Sequence, residues 1–158
     1  MKRDASRIEI RPLHADDLEQ IIGIAEILAE APQWSREQYD DALSPHAQVA
    51  RIALVAQDTR SADIVGFTIA SLVIPEAELE TIAVAREYQG QGIGAHLLAA
   101  LVHELKGAGV SELHLEVRVS NHPAIRFYES ANFRRTGVRP RYYTDPEEHA
   151  VLMSLYLG

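Results

Sequence analysis

Two kinds of residue in this 158-residue chain have types and spacing suited to chemistry. The first lie in "REYQGQGIGAHLL" (residues 86–98), where Gly90, Gly92 and Gly94 alternate ahead of an apolar stretch with helical spacing. A glycine-rich turn that opens a helix aims several backbone N–H groups, and the positive end of the helix dipole, at an anion. Gln91, Gly92, Ile93, Gly94 and Ala95 are therefore a candidate phosphate cradle; a helix start with incidental glycines is the alternative reading. The second are carboxylates in strand-like segments: Glu80 in "LETIAVA" and Glu116 in "ELHLEVRV". Either could take up a proton, and either could be an ordinary solvated strand residue.

The phosphate could belong to several ligands. A nucleotide-triphosphate loop needs Lys and Ser/Thr after its last glycine; here Ala95 and His96 follow Gly94. A dinucleotide fingerprint is formally matched by Gly90, Gly92 and Ala95. Its first glycine, however, should follow a buried strand directly, and "REYQ" intervenes after Ala85. Glu116, at about the right distance for the acidic partner, sits in mid-strand. Both nucleotide readings are thus disfavoured, and phosphate at a helix start remains.

The rest of the chain must position these residues. "IEIRPL" (8–13) alternates as a short strand, and "ADDLEQIIGIAEILAEA" (15–31) has helical spacing and an acidic first turn, with Pro32 expected to end it. Ser35 and Gln38 form a capping-box pattern for a second helix, "REQYDDAL", with Trp34 as a hydrophobic staple beneath it. "ARIALVAQ" (50–57) and "IVGFTIASLVI" (64–74) read as a hairpin, the second strand stopping at Pro75; "LETIAVA" (79–85) is another strand. A helix follows from Ile93 to the "GAG" at 107–109. In "ELHLEVRV" (112–119), Leu113, Leu115 and Val117 face one way and His114, Glu116 and Arg118 the other. A helix over 121–133 and strands near 134–140 and 148–157 complete the order β-α-α-β-β-β-α-β-α-β-β, a single mixed α/β domain spanning 1–158.

Composition narrows the partners. A formal net charge of -8 disfavours general nucleic-acid binding, which rests on Lys/Arg contacts to phosphate, and suits a cationic amine or basic peptide. No apolar run approaches a membrane span, and the N-terminal residues lack the apolar core of a signal peptide. The absence of cysteine removes disulfides, thiolate metal sites and a cysteine nucleophile, and fits a cytoplasmic protein. The seven histidines show no metal-ligand spacing, so no metal is expected; His122 and His149 fall near the candidate site but read as surface or packing residues. A monomer is the favoured oligomeric state.

Q-x-x-G-x-G (Gln89, Gly92, Gly94), followed by "LEVRVSNHPAIRFYESANF" and "RPRYYTDPEEHAVLMSL" in that order, resembles the GNAT superfamily of acetyl-CoA-dependent N-acetyltransferases. Within it the chain is most similar to the bacterial ribosomal-protein alanine N-acetyltransferases of the RimI type. The resemblance implies a GNAT fold: a mostly antiparallel sheet of six to seven strands, about four flanking helices, and strands 4 and 5 splayed apart. It implies that acetyl-CoA is the co-substrate, with its pyrophosphate at residues 90–95 and its pantetheine arm on Ile82, Ala83, Val84 and Asn121. The side chains of Ile82 and Val84 read as core, and Asn121 also reads as an ordinary helix cap.

The same resemblance gives Glu116 the role of general base, with Glu80 as rival, and Tyr128 that of general acid. A phenol keeps its proton at neutral pH and can present it to a departing thiolate. Alanine at 131 and asparagine at 132 depart from the usual Leu-Gly, at the helix end rather than at the phenol. Tyr142 and Tyr143 would cover the acceptor. The implied reaction is direct acetyl transfer to a protein N-terminal α-amine, an alanine of a ribosomal protein. Acetylation of a small amine or of lysine, or a CoA-binding sensor without turnover, are the alternatives.

Overall fold

The computed structural model describes residues 7–28 and 31–158. Its strands are β1 (Ile8–Pro12), β2 (Ala50–Asp58), β3 (Ile64–Val73), β4 (Glu76–Val84), β5 (Glu112–Arg118), β6 (Arg134–Tyr143) and β7 (Glu148–Tyr156). They form one sheet in the order β1-β2-β3-β4-β5-β7-β6. Only the β4–β5 pair is parallel. The α-helices among the described residues are α1 (Leu18–Ile27), α2 (Arg36–Leu43), α3 (Ile93–Gly107) and α4 (His122–Ser130). This is the mixed α/β architecture expected from the sequence.

The two faces of the sheet are covered unequally. On one face, Leu97, Leu101 and Leu105 of α3 pack with Ile125 of α4 against Leu113, Leu115 and Val117 of β5 and Met153 of β7. Burying each such side chain is worth about 1.5–3 kcal/mol. On the other face, Leu18, Ile21 and Ile24 of α1 and Tyr39 of α2 pack on Val55, Phe67, Ile69 and Ala83. That second core stops at β4: none of its buried residues comes from β5, β6 or β7. The polar face of β5 is therefore not covered by that core.

α2 begins as the sequence requires. Ser35 Oγ accepts from Gln38 N, Gln38 Oε1 accepts from Ser35 N, and the Trp34 ring meets Tyr39 at 5.2 Å as a staple. α1 does not. Ala15–Asp17 is a 3-10 turn, and the helix closes at Ile27, well before Pro32. The Gln33 amide nitrogen ends it, donating to the carbonyls of Ala25, Leu28 and Ala31 at 2.7, 3.1 and 3.0 Å. Positions 29 and 30, included in the expected helix, lie outside the described residues. Asp17 is not a solvated helix-start acid either. Its carboxylate is buried, takes two bonds from Arg11 at 2.8 and 2.9 Å, and accepts from His14 N.

β4 starts at Glu76, directly after the Ile74–Pro75 turn and three residues earlier than the sequence suggested. Its register against β3 slips: Ala70 pairs with Leu79 but Ile69 with Thr81, so Glu80 is an extra, bulged residue. A one-residue bulge reverses side-chain parity. Accordingly Ala77 and Leu79 belong to the α3-side core before it, and Ile82 and Val84 after it. β4 and β5 pair only from Glu76↔Glu112 to Glu78↔His114, then separate. The strands part where the bulge lies.

Candidate active site

The parting of β4 and β5 opens a cleft of about 590 Å³. Residues 78–84 of β4 and 115–118 of β5 form its sides, with Asn121 at the start of α4, Tyr128 within α4, Trp34 beside α2, and Tyr142 and Tyr143 from β6. Beyond Glu78, β4 has no ladder partner on its β5 side. The backbone groups of Ile82, Ala83 and Val84 along that edge can therefore pair with an extended ligand. Their side chains serve the packing: Ile82 and Val84 are half-buried against the α3-side core, and Ala83 is buried on the opposite face.

At the α3 end of the cleft, Gly90 and Gly92 have φ of +78° and +83°, a region costly for residues with a Cβ. A Cβ at either would meet nothing within 4 Å, so conformation rather than crowding requires glycine there. Gly92 caps α3 without any side-chain hydrogen bond. The N–H groups of Ile93, Gly94 and Ala95, in the first turn, remain directed outward. The turn is braced from behind: Gln89 Nε2 donates to Val84 O at 2.9 Å, Gln91 Nε2 to Glu87 O at 3.4 Å, and Tyr88 Oη to Asp58 at 3.0 Å. A turn of outward backbone donors beside an open strand edge can hold an anion with an extended arm along the strand. Asn121 spends its Oδ1 on capping α4 at Ala124 N, 3.3 Å, which keeps its amide nitrogen for the cleft it lines.

The opposite, polar face holds the titratable groups. Glu116 takes an ion pair from Arg139 Nη1 at 3.1 Å and a hydrogen bond from the Tyr142 hydroxyl. That bond, more than burial, raises the Tyr142 phenol above its ordinary range. The arm carrying both tyrosines is held by Arg118, which stacks 4.4 Å over the Tyr143 ring, pairs with Glu148 at 3.1 Å, and donates to the carbonyls of Pro146 and Thr144. The Tyr128 ring packs between Phe127 and Phe133, at 5.3 and 5.5 Å. Burial, with a smaller contribution from Tyr143, pushes its phenol up to about 12. Tyr143 is likewise pushed to about 12, by burial and then by the Glu116 charge.

Glu80 lies in the same cleft, but both its oxygens face Arg51, at 2.7 and 3.4 Å from Nε and Nη2, and Arg51 is itself tied to Ala42 O. His122 and His149 are exposed, do not line the cleft, and His149 Nδ1 accepts from Arg141 N. Among the described residues, potential metal ligands converge only at Glu76, Glu112 and His114, on the surface, where His114 already bonds Ser154 Oγ at 2.6 Å.

Sequence reasoning missed Glu78. It stands, exposed, at the fork of the cleft near Glu80 and Glu116, and partial desolvation with those two charges raises its carboxyl above the usual range. The alternation of Glu76, Glu78 and Glu80 in "EAELE" was the available signal.

Residues 15–133 match the acetyltransferase (GNAT) family. The [ribosomal protein bS18]-alanine N-acetyltransferase of Escherichia coli K12 is 45% identical over 101 residues, 63% of this chain and 68% of that protein. The crystal structure of the Escherichia coli ribosomal-protein-S18-alanine N-acetyltransferase superposes with a TM-score of 0.80 at 35% identity, covering 96% of this chain and 94% of that one. Arabidopsis thaliana NAA60 in complex with acetyl-CoA shares the fold, with a TM-score of 0.83 at 20% identity over 94% and 98% of the two chains.

Proposed function

The chain belongs to the GNAT family of acetyltransferases, enzymes that use acetyl-CoA, and on that premise we propose that its acceptor is the N-terminal alanine of ribosomal protein bS18. The observation that supports this reading is the cleft where β4 and β5 part, lined by Glu116 and the half-buried Tyr128, with the glycine turn that opens α3 following Gln89 on its wall. The acceptor is inferred from the 45% identity with the Escherichia coli enzyme. Action on a ribosomal protein would place the enzyme in the cytoplasm. No helix of the described residues is long and apolar enough to cross a membrane.

Acetyl-CoA, when bound, supplies an acetyl group activated as a thioester. The first-turn N–H groups of α3 hold the pyrophosphate, and the backbone of residues 82–84 with Asn121 holds the pantetheine arm. Glu116 accepts a proton from the acceptor's ammonium, directly or through water. Tyr128 gives its phenolic proton to the departing sulfur. Attack is direct, without an acyl-enzyme.

An α-amine suits this machinery better than lysine. With reference values of 7.7–8.0 and 10.4, about a third of α-amines but roughly one in a thousand lysines are neutral at pH 7.5. Tyr142 and Tyr143 cover the incoming peptide, and Glu80 shapes the wall through Arg51 rather than taking the proton. Incubation with acetyl-CoA and an alanine-initiated peptide should release CoA and acetylate the α-amine. Reaction with free polyamines or internal lysines alone would contradict the reading.

A further inference from the structure

Behind the open edge of β4, a buried hydroxyl on β3 bonds the backbone next to the bulge. Thr68 has 0% of its surface exposed and lies between its cross-strand neighbours Leu54 and Ile82. Among such apolar side chains a hydroxyl needs a partner. Its Oγ1 donates to the carbonyl of Thr81 at 2.9 Å. Thr81 directly follows the bulged Glu80, where the β3–β4 register slips between Ile69 and Ala70. A bulge disrupts the ladder locally, so a side-chain bond there fixes backbone that regular pairing holds less well. Thr81 is buried too, and solvent supplies no substitute.

The ladder gives the direction of the neighbouring groups. Ala85 N donates to Val65 O at 2.8 Å, so Ala85 turns its backbone towards β3. Direction alternates along an antiparallel ladder: Ala83 and Thr81 also face β3, whereas Val84 and Ile82 face the open edge. Val84 O, on that edge, accepts from Gln89 Nε2. The Thr81–Ile82 bond is trans, and a trans peptide is one plane whose N–H points opposite to its C=O. Its carbonyl is clamped by Thr68 and its N–H is directed into the cleft. The bond at one end therefore sets the aim of the other.

We propose that Thr68 is a positioning residue for acetyl transfer: its hydroxyl holds the Thr81–Ile82 peptide so that Ile82 N–H donates to the thioester carbonyl of acetyl-CoA. This rests on the reading of the cleft as an acetyl-CoA site. Negative charge builds on that carbonyl oxygen as the amine attacks, and a preorganised backbone donor stabilises it. Thr68 touches neither donor nor acceptor and acts only through the peptide plane.

The test is Thr68→Val, which keeps the shape and removes the hydroxyl, with Thr68→Ala as a second variant without it and Thr68→Ser to restore it. Acetyl-CoA binding to the wild type is measured first by calorimetric titration; its failure would refute the reading of the cleft before Thr68 is in question. With binding present, infrared spectra of acetyl-CoA carrying an isotope-labelled acetyl carbonyl report the hydrogen bond to that oxygen. The carbonyl band should move to lower frequency on binding wild type and Thr68→Ser, and should move less on binding Thr68→Val or Thr68→Ala. One oxyanion donor is worth about 10²–10³ in kcat, so a donor misdirected rather than removed should cost about tenfold, with the acetyl-CoA dissociation constant within about threefold. Thr68→Ser should return kcat to within about threefold of wild type. A wild-type band that does not move on binding would overturn the assignment. So would variants without the hydroxyl that keep the wild-type band position, even with kcat reduced, since a merely structural role lowers activity without touching that bond.

Discussion

Replacing Tyr128 by phenylalanine separates proton delivery from binding. The ring is held by Phe127 and Phe133, at 5.3 and 5.5 Å, contacts that phenylalanine keeps. Acetyl-CoA affinity should therefore stay within about twofold, as read by calorimetric titration of the free enzyme. The chemical step should not survive as well. A positioned general acid contributes about 10²–10⁴ in rate, or about 2.7–5.4 kcal/mol at 1.36 kcal/mol per factor of ten, and kcat should fall by that factor. The pH profile sharpens the test. At an ordinary pKa of 10, about a tenth of tyrosines are ionised at pH 9; with the phenol pushed to about 12, roughly one in a thousand is. Wild-type kcat should thus show no alkaline fall below about pH 10 attributable to this group. The assay is stopped-flow detection of CoA release at saturating donor and peptide, from pH 6 to 10. A Tyr128→Phe enzyme with kcat within threefold of wild type would refute the general-acid role.

Glu116→Gln should lower kcat by about 10²–10⁴, whereas Glu80→Gln should keep most activity. The latter breaks the Arg51 pair and should lose about 1–3 kcal/mol of stability, read by urea denaturation. Gly92→Ala, at φ +83°, should cost about 1–2 kcal/mol and raise the acetyl-CoA KM, because a Cβ disfavours the turn that aims the α3 donors. The hydrogen bonds from Arg11 hold the Asp17 carboxyl below its ordinary value. Its stabilising contribution is therefore complete above about pH 4, the unfolded value, and is lost as pH falls through the lower folded value. Thermal melts between pH 2 and 5 should show this loss in wild type and less of it in Asp17→Asn.

Much of the fold was legible because its signals are local. Ser35 and Gln38 announce α2 by reciprocal hydrogen bonds between neighbours, and the alternation of 113–117 states which face of β5 is buried. The glycine turn was legible for the same reason, since positive φ at Gly90 and Gly92 is a backbone requirement. What escaped depends on distant partners. α1 stops at Ile27 because the Gln33 amide reaches back to three carbonyls, a closure that helical periodicity cannot register. The Glu80 bulge exists only as a slip between two strands, yet it reverses the parity of β4 and coincides with the opening of the cleft. The same limit applies at the site. Glu80 and Glu116 look alike as strand carboxylates, and their difference lies in which arginine reaches each of them.

The central claim is that this cleft transfers acetyl to the N-terminal alanine of bS18. Fragmentation mass spectrometry of bS18 from cells that carry the gene, and from cells that lack it, tests this most directly. The account predicts an acetyl group on the terminal alanine in the first and a free α-amine in the second. An N-terminus in the same state in both, or an acetyl group found only on lysine side chains, would contradict it.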